Sequence, residues 1–537
     1  MIQRIVWYAL PRTFHLSTLF FFRHLLKRVH AIFGVAVLLV VMVGSNLFAE
    51  IIREPAVAGR FYPKDAQKLR NAVRLFMDEA AAPVREKPVA LVAPHAGYVY
   101  SGQIAADAYR QAAAHQYDLV VLLGAPHTVP VNGVSIYSGK GYRTPLGVAE
   151  IDQNTSKALI DSDPSFFFNP EAHRKEHSIE VQVPFVQVLF PNAKIVTALI
   201  GSHDRKLVSK FGKILATAVK PRNALIVAST DLSHYPRYDD AVRVDARTLE
   251  AFRSMAPATI EAVLRENGSR QIPNLATSAC GETAVWATVV AAKRLGADCA
   301  RIVSYANSGD SAVGSHDRVV GYGAMSLSRD PECRTVTTPS SPAEQRTSEL
   351  NAEQKRRLLE LARKTIEHAL HTDMVPFPRS DDRLLAQRRG AFVPLKKNGR
   401  LRGCIGHMAE DKPLCQVVCA LALQAAFNDR RFQRLQPHEL SDIDIEISVL
   451  TPFRQVPDAG AIRVGTDGVR LKKGARVAVF LPQVATEQGW DRDEMLDQLC
   501  RKAGLPAGSW KEGTQLYTFQ AEIFSESELA HHTSPDP

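Results

Sequence analysis

The chain has no CxxC pair, no HExxH and no other compact metal signature, so no metal site can be read from local spacing alone. Its seven cysteines (Cys280, Cys299, Cys333, Cys404, Cys415, Cys419 and Cys500) are odd in number and scattered over 537 residues. That excludes a small disulfide scaffold. Cys415 and Cys419 lie one helical turn apart in LCQVVCALALQAAF and read as small core residues. There is also no dense Lys/Arg stripe interleaved with aromatics. Of the formal charge of +10, +5 comes from Arg4, Arg12, Arg23, Lys27 and Arg28, in a stretch of 49 residues without Asp or Glu. Nucleic acid is therefore not the expected partner. A long apolar run is missing as well. AIFGVAVLLVVMVG, Ala31 to Gly44, has only 14 residues, short for a membrane span and suited to a signal-peptide core. With the basic flank before it and the small residues of VGSNLFAE after it, residues 1–49 read as a signal peptide or an uncleaved membrane anchor. Either would place the rest of the protein outside the cytoplasm, with the membrane touched only by this segment. The alternative is a cytoplasmic protein with a mis-called start.

What is present is a pattern of short, unalternating apolar runs separated by helix-like segments, from residue 50 to 328. VALVAPH, DLVVLLGAPH, KIVTALIG, ALIVASTDLSH, ARIVSYANS and GYGAMSLS read as strands. GQIAADAYRQAAAH, KLVSKFGKILATAV and GETAVWATVVAAKRLG read as helices. Continuous Val/Ile/Leu runs suit strands covered on both faces, so the expected fold is an α/β sandwich around a central sheet. Residues 329–349 are polar and rich in Pro, Ser and Thr, as in an interdomain linker. Residues 350–528 then show an amphipathic helix, the strand-like GAFVPLKKNGRLRGCIG with an Asn-Gly turn, a helix near Pro413–Phe427, and the further strands DIDIEISVLTP, GVRLKK and RVAVFLPQVA. This reads as a separate α+β domain, followed by a tail over 529–537.

Five chemically capable residues share one context in the first domain. His95 and His127 each close an apolar strand in the words Ala-Pro-His, Asp231 and His234 close another, and Cys280 stands at a helix start. In open α/β sheets the crevice beyond the strand ends collects ligands. A helix N-terminus also favours the thiolate form of a cysteine. Two imidazoles and a thiolate suit a transition metal at a catalytic site, with Asp231 and His234 as an acid–base pair behind it. The separations of 32, 107 and 46 residues match no compact motif, and each residue read alone fits an ordinary structural role. His173 and His177, in AHRKEHSIEVQVPF, are further candidates, and His177 fits capping or packing equally well. Gly97 and Gly102 leave the backbone of APHAGYVYSG free to turn.

The words REPAVAGRFYP, APHAGYVYSG, GAPHT, EHSIEVQVPF, STDLSH and SACGE, in this order, resemble the MEMO family, whose fold is similar to the class III extradiol ring-cleaving dioxygenases. GAFVPLKKNGRLRGCIG, AAFNDRRFQRL, EISVLTP and LPQVATEQGWD resemble an AMMECR1 domain. The resemblance implies metal ligation by His95, His127 and Cys280, with His234 beside Asp231 in the acid–base position. Two imidazoles with a soft thiolate favour iron or copper as cofactor, with zinc also within reach of these donors. The resemblance places Phe61, with His177, in the substrate pocket. In the ring-cleaving enzymes the third ligand is a glutamate, and a thiolate in its place softens the site and puts dioxygenase activity in doubt. Glu282, two residues past Cys280, is the alternative ligand. In the AMMECR1 part, LRGCIG sets Arg402 and Cys404 in a glycine-bracketed turn, where a ligand approaches the backbone or the cysteine simply packs inside. The resemblance further implies the AmmeMemoRadiSam system, with a radical SAM protein as partner. The functions it leaves open are a metal-dependent redox or dioxygenase-like enzyme acting on a small-molecule or peptide substrate, a non-catalytic metal-holding or protein-binding scaffold, and modification chemistry shared with the radical SAM partner.

Overall fold

The computed structural model describes residues 51–83, 86–311, 313–330, 349–375, 378 and 382–531. The leader-like segment and most of the linker-like segment lie outside the described residues. No helix among the described residues is long and apolar enough to cross a membrane.

An eight-stranded sheet forms the centre of the first part. Its strands are β1 (Pro88–Ala93), β2 (Leu119–Gly124), β3 (Val134–Ile136), β4 (Phe166–Phe167), β5 (Lys194–Ile200), β6 (Ala224–Ser229), β7 (Cys299–Asn307) and β8 (Gly321–Ser328). They lie in the order β7-β8-β1-β6-β2-β5-β3-β4. The inner four, β1, β6, β2 and β5, run parallel, and β8 and β3 flank them antiparallel. The apolar runs do not alternate because both faces are covered. Leu91, Val120, Leu122 and Val227 enter one core, with Phe76 of α1 (Ala66–Asp78) and Ile104 of α2 (Tyr98–Arg110). Their neighbours Val92, Val121, Leu123 and Ala228 enter the other. Phe211 of α3 (Arg205–Val219), Phe252 of α4 (Tyr238–Arg253) and Val285 of α5 (Glu282–Arg294) cover that side. The mixed α/β fold expected from the sequence is therefore present. Gly102 departs from its expected role. It sits inside α2, where a Cβ would lie 2.6 Å from the Phe76 ring, so it serves close helix packing and not a turn.

The second part holds two four-stranded sheets. One joins β9 (Ala391–Lys397), β10 (Arg400–His407), β11 (Ile443–Leu450) and β16 (Ala521–Ser525) in the order β10-β9-β11-β16. The other joins β12 (Arg454–Val456), β13 (Gly468–Lys473), β14 (Arg476–Phe480) and β15 (Gln515–Phe519) in the order β12-β15-β13-β14. Asn398 and Gly399 turn the β9–β10 hairpin with φ of 52° and 71°, the left-handed pair that an Asn-Gly hairpin needs. Helices α6 (Ala352–Thr372) and α7 (Leu414–Phe427) pack on the first of these sheets, with Cys415 in the core between them. The two parts touch through Lys68–Asp373 at 2.8 Å, Lys412 Nζ donating to the Gly314 carbonyl at 3.1 Å, and Met374 resting on the first core.

Candidate metal centre

Three histidines converge at the carboxyl ends of the central strands. His95 leaves β1, His127 leaves β2, and His177 opens a one-turn helix that packs beside β2. Each offers a ring nitrogen, and these atoms lie within 4.8 Å of one another, a group that could hold a metal ion. Their rings are 4.7–5.4 Å apart.

The hydrogen bonds fix which nitrogen faces the centre. The Ser229 hydroxyl donates its single proton to the Ser178 carbonyl at 2.6 Å. It must then accept from Gln182 Nε2 at 2.9 Å and from His95 Nδ1 at 3.0 Å. His95 therefore carries its proton on Nδ1 and presents the Nε2 lone pair. His127 is held in the same way, its Nδ1 donating to Glu176 Oε1 at 2.9 Å. This is the carboxylate–histidine arrangement that orients metal-binding imidazoles. Burial alone would lower the His127 pKa, but the hydrogen bond and charge of Glu176 outweigh it and raise the value. His95, fully buried, is pushed well down by burial and then by the neighbouring imidazoles, so it stays neutral. His177 is pushed down by burial too.

Glu176 is the organising residue that sequence reading missed. Besides His127 Nδ1, its carboxylate accepts the backbone N–H groups of His127 (2.5 Å), His177 (3.0 Å) and Ser178 (2.9 Å). No local signal marks it, since glutamate is not among the preferred N-cap residues and its partner His127 lies 49 residues earlier in the chain. Glu180, one turn on, clamps the N-terminal arm. It accepts from Arg53, Tyr62 and the backbone N–H groups of Ala56 and Val57. That clamp brings Phe61 edge-on to His177 at 5.1 Å, so these two proposed pocket residues do meet.

Cys280 reaches the group through His95, with Sγ 3.2 Å from Nε2. Its ionisation is not the one a helix start predicts. Burial, followed by the charge of Asp231, holds the thiol well above its usual range. In a buried site desolvation exceeds the effect of the α5 dipole, so a thiolate here needs a cation beside it. Gly281 lets α5 begin this close, because a Cβ there would fall 2.4 Å from the Ser229 carbonyl oxygen.

Asp231 and His234 are not hydrogen-bonded to each other. The Asp231 carboxylate accepts the His95 backbone N–H at 2.7 Å and so fixes the turn that carries His95. Burial raises its pKa to about 7. His234 Nε2 is buried and has no hydrogen-bond partner among the described residues. Burial and the facing His127 lower its pKa to about 4, leaving a neutral imidazole with an unused nitrogen. Two other candidates turn away from the centre. His173 is a buried strut bonded to Ser135 and Tyr142, its pKa pushed down to about 3 by burial. Glu282 pairs with Arg205 at 3.1 Å and His203 at 3.2 Å on the outer side of α5.

In the second part, Arg402 is committed to a two-point ion pair with Glu439 at 2.9 and 3.1 Å. Cys404 is half-buried in β10, its N–H donating to Asp429 at 2.9 Å and its carbonyl accepting from Arg431 at 2.9 Å. Burial raises its pKa. Neither residue belongs to the histidine centre.

Comparison with known proteins agrees with the reading of the sequence words. The family model described as Memo-like protein matches residues 53–326, and that described as AMMECR1 matches residues 359–524. A MEMO1 family protein of Methanopyrus kandleri is 35% identical over 290 residues, covering 52% of this chain and 99% of the relative. One of Aquifex aeolicus is 35% identical over 277 residues, covering 51% and 98%. A solved structure of an uncharacterized protein from Pyrococcus horikoshii is 37% identical, covering 32% of this chain and 90% of that one, with a TM-score of 0.29. The chain belongs to the Memo-like family and carries an AMMECR1 domain behind its Memo-like part.

Proposed function

We propose that the Memo-like part is a metal-dependent redox protein whose metal is held by His95 and His127, with Cys280 and His177 as the further donors. The observation that carries this reading is the pair of Nε2 lone pairs, each aimed at one point by a partner on the opposite ring nitrogen. The donor set fits a transition metal: imidazoles that present ring-nitrogen lone pairs, and a thiol that ionises only beside a cation. Iron or copper suits it best, and when bound supplies one-electron redox chemistry and a Lewis-acid position.

The remaining work falls to the protein's own groups. Glu176 keeps the His127 proton on Nδ1. Asp231 and Ser229 hold the backbone and ring of His95. His234 Nε2, neutral and unpartnered, is placed to accept or return a proton from a bound small molecule. Phe61 shields His177 from water on the arm side, while the His127 and His177 side chains stay 26% and 22% exposed and give access.

Elemental analysis with electron paramagnetic resonance on anaerobically purified protein tests this directly. Stoichiometric iron or copper is expected in the wild type, and its loss in His95→Ala and Cys280→Ala. Full occupancy in both variants would sink the assignment. Metal-replete protein that turns over no catechol-like or peroxide substrate supports the scaffold reading instead.

A radical SAM partner rests on the family resemblance. Its test is co-purification from cells and comparison of metabolites with and without the gene. Export of the chain is supported by the order of charge and apolar residues at the N-terminus. Cell fractionation decides it.

A further inference from the structure

We infer that a basic pocket at the amino ends of the central strands binds a phosphate group. The pocket opens where β1 and β6 begin and where α3 and α5 end, one strand's length (about 20 Å) from the histidine centre. It encloses about 420 Å³, within the size range of small-molecule sites. Its charged lining is Lys87, Lys220, Arg222, Arg294 and Arg329, with no Asp or Glu. The backbone is shaped for this cluster. Gly296, just past α5, has a φ of 97°, and a Cβ there would lie 2.4 Å from the Arg329 guanidinium. The glycine thus lets Arg329 lie across the helix end, where its Nε donates to the Gly296 carbonyl at 3.4 Å. Lys87 rests on the Tyr117 ring, 4.8 Å from its centre, and donates to Asn223 Oδ1.

Of these cations only Arg222 is spent on acids, Asp118 at 3.3 Å and Asp152 at 2.9 Å. Lys87, Lys220, Arg294 and Arg329 have no carboxylate partner among the described residues. The acids that follow in the chain are engaged elsewhere: Asp298 accepts the Asp330 backbone N–H at 2.8 Å, and Asp330 pairs with Arg301. The carboxyl ends of α3 and α5 bring roughly half a negative charge each, which four cations outweigh severalfold. That surplus exceeds what one carboxylate neutralises and suits a phosphate, which takes guanidinium forks and ammonium point charges together. Ile51, where the N-terminal segment meets the described chain, lies at this same end of the sheet. Its carbonyl accepts the Lys140 N–H at 2.7 Å, and the Lys140 carbonyl accepts the Ile151 N–H at 3.0 Å. Asp152, the next residue, is the one that binds Arg222. An anchor preceding Ile51 would bring this end of the sheet to the lipid surface. A phospholipid head group and a soluble phosphate compound are thus two sources of the same chemistry.

Pyrophosphate and acetate are titrated by calorimetry into the full chain in neutral detergent. Pyrophosphate is expected to bind, and acetate at least about tenfold more weakly. The pocket variant Lys220→Gln/Arg294→Gln is expected to weaken pyrophosphate about tenfold or more with an unchanged thermal melt. Lys206→Gln/Lys213→Gln removes the same charge from exposed positions of α3 outside the pocket and should leave binding unchanged. The source is separated by sedimentation with vesicles of phosphatidylcholine, with and without phosphatidylglycerol. All the variants keep the same N-terminal segment, so its contribution cancels. A phosphatidylglycerol preference that falls only in the pocket variant identifies a lipid head group. Pocket-dependent pyrophosphate binding without such a fall identifies a soluble phosphate compound. The proposal is overturned if neither pyrophosphate binding nor lipid preference changes in the pocket variant. Acetate binding as tightly as pyrophosphate, or an equal loss in Lys206→Gln/Lys213→Gln, would overturn it too. The pocket residues stand at the far end of the sheet, so their comparison with wild type is independent of the metal at the histidine centre.

Discussion

Glu176 and His127 are joined at two points. The carboxylate takes the ring Nδ1–H at 2.9 Å and the backbone N–H at 2.5 Å, and so fixes both the position and the tautomer of one imidazole. Replacing Glu176 with Gln keeps the shape and removes the charge. Metal affinity is expected to fall about 10- to 100-fold, the usual cost of losing such an outer partner. Competition with a zinc chelator on the folded variant measures it. An unchanged affinity would show that His127 needs no orientation.

The third donor can be separated by experiment. Sγ of Cys280 lies 3.2 Å from His95 Nε2, while His177 stands in the group of three imidazoles. Cys280→Ala and His177→Ala are each expected to lower affinity, and only the cysteine variant to remove a thiolate charge-transfer band from the absorption spectrum of the metal-loaded protein. If His177→Ala removes the band while Cys280→Ala keeps it, the donor assignment is wrong.

Gly281→Ala should destabilise the first part by about 1–3 kcal/mol, the range for an added methyl in a packed site. The new Cβ would meet the Ser229 carbonyl oxygen at 2.4 Å, with rigid backbone on both sides. Urea unfolding followed by tryptophan fluorescence reads the change, since Trp286 lies on α5. A loss below 0.5 kcal/mol, within the scatter of ordinary surface substitutions, would mean the helix start yields easily.

The Arg402–Glu439 pair gives a pH dependence with a defined sign. Hydrogen bonding from Arg402 holds the Glu439 carboxyl down to about 2, against an ordinary 4.5. A depressed carboxyl stabilises fully above its unfolded value, and that stabilisation is lost as pH falls from 4.5 through 2. Glu439→Gln is therefore expected to cost about 2 kcal/mol at pH 7, typical of a charged hydrogen bond, and the gap to wild type should close near pH 2. Parallel melts at pH 7, 4 and 2.5 check it. A gap independent of pH would assign Glu439 a packing role.

The strand-end words were informative because both faces of the inner strands are buried. Val92 and Val120 belong to opposite cores, yet both must be apolar, so the run is unbroken and its end is visible. Strand β3 and the edge strand β4, of three and two residues, carry too little pattern to be seen. RVAVFLPQVA is legible only in its first half, since Pro482 opens a helix where the apolar pattern predicts a longer strand. His95 and His127 could be nominated from their context. Glu176, and the ion pair that occupies Arg402, could not, because their partners lie 49 and 37 residues away.

By itself the sequence determined the layered fold, the Asn-Gly hairpin and the placing of two histidines at the mouth of the sheet. Periodicity and turn chemistry are local, and local patterns suffice for these. Tertiary structure alone decided the tautomers, the turning away of His173 and Glu282, and the raised thiol of Cys280. Each of these depends on burial and on donors brought from distant segments, and desolvation has no signature along the chain.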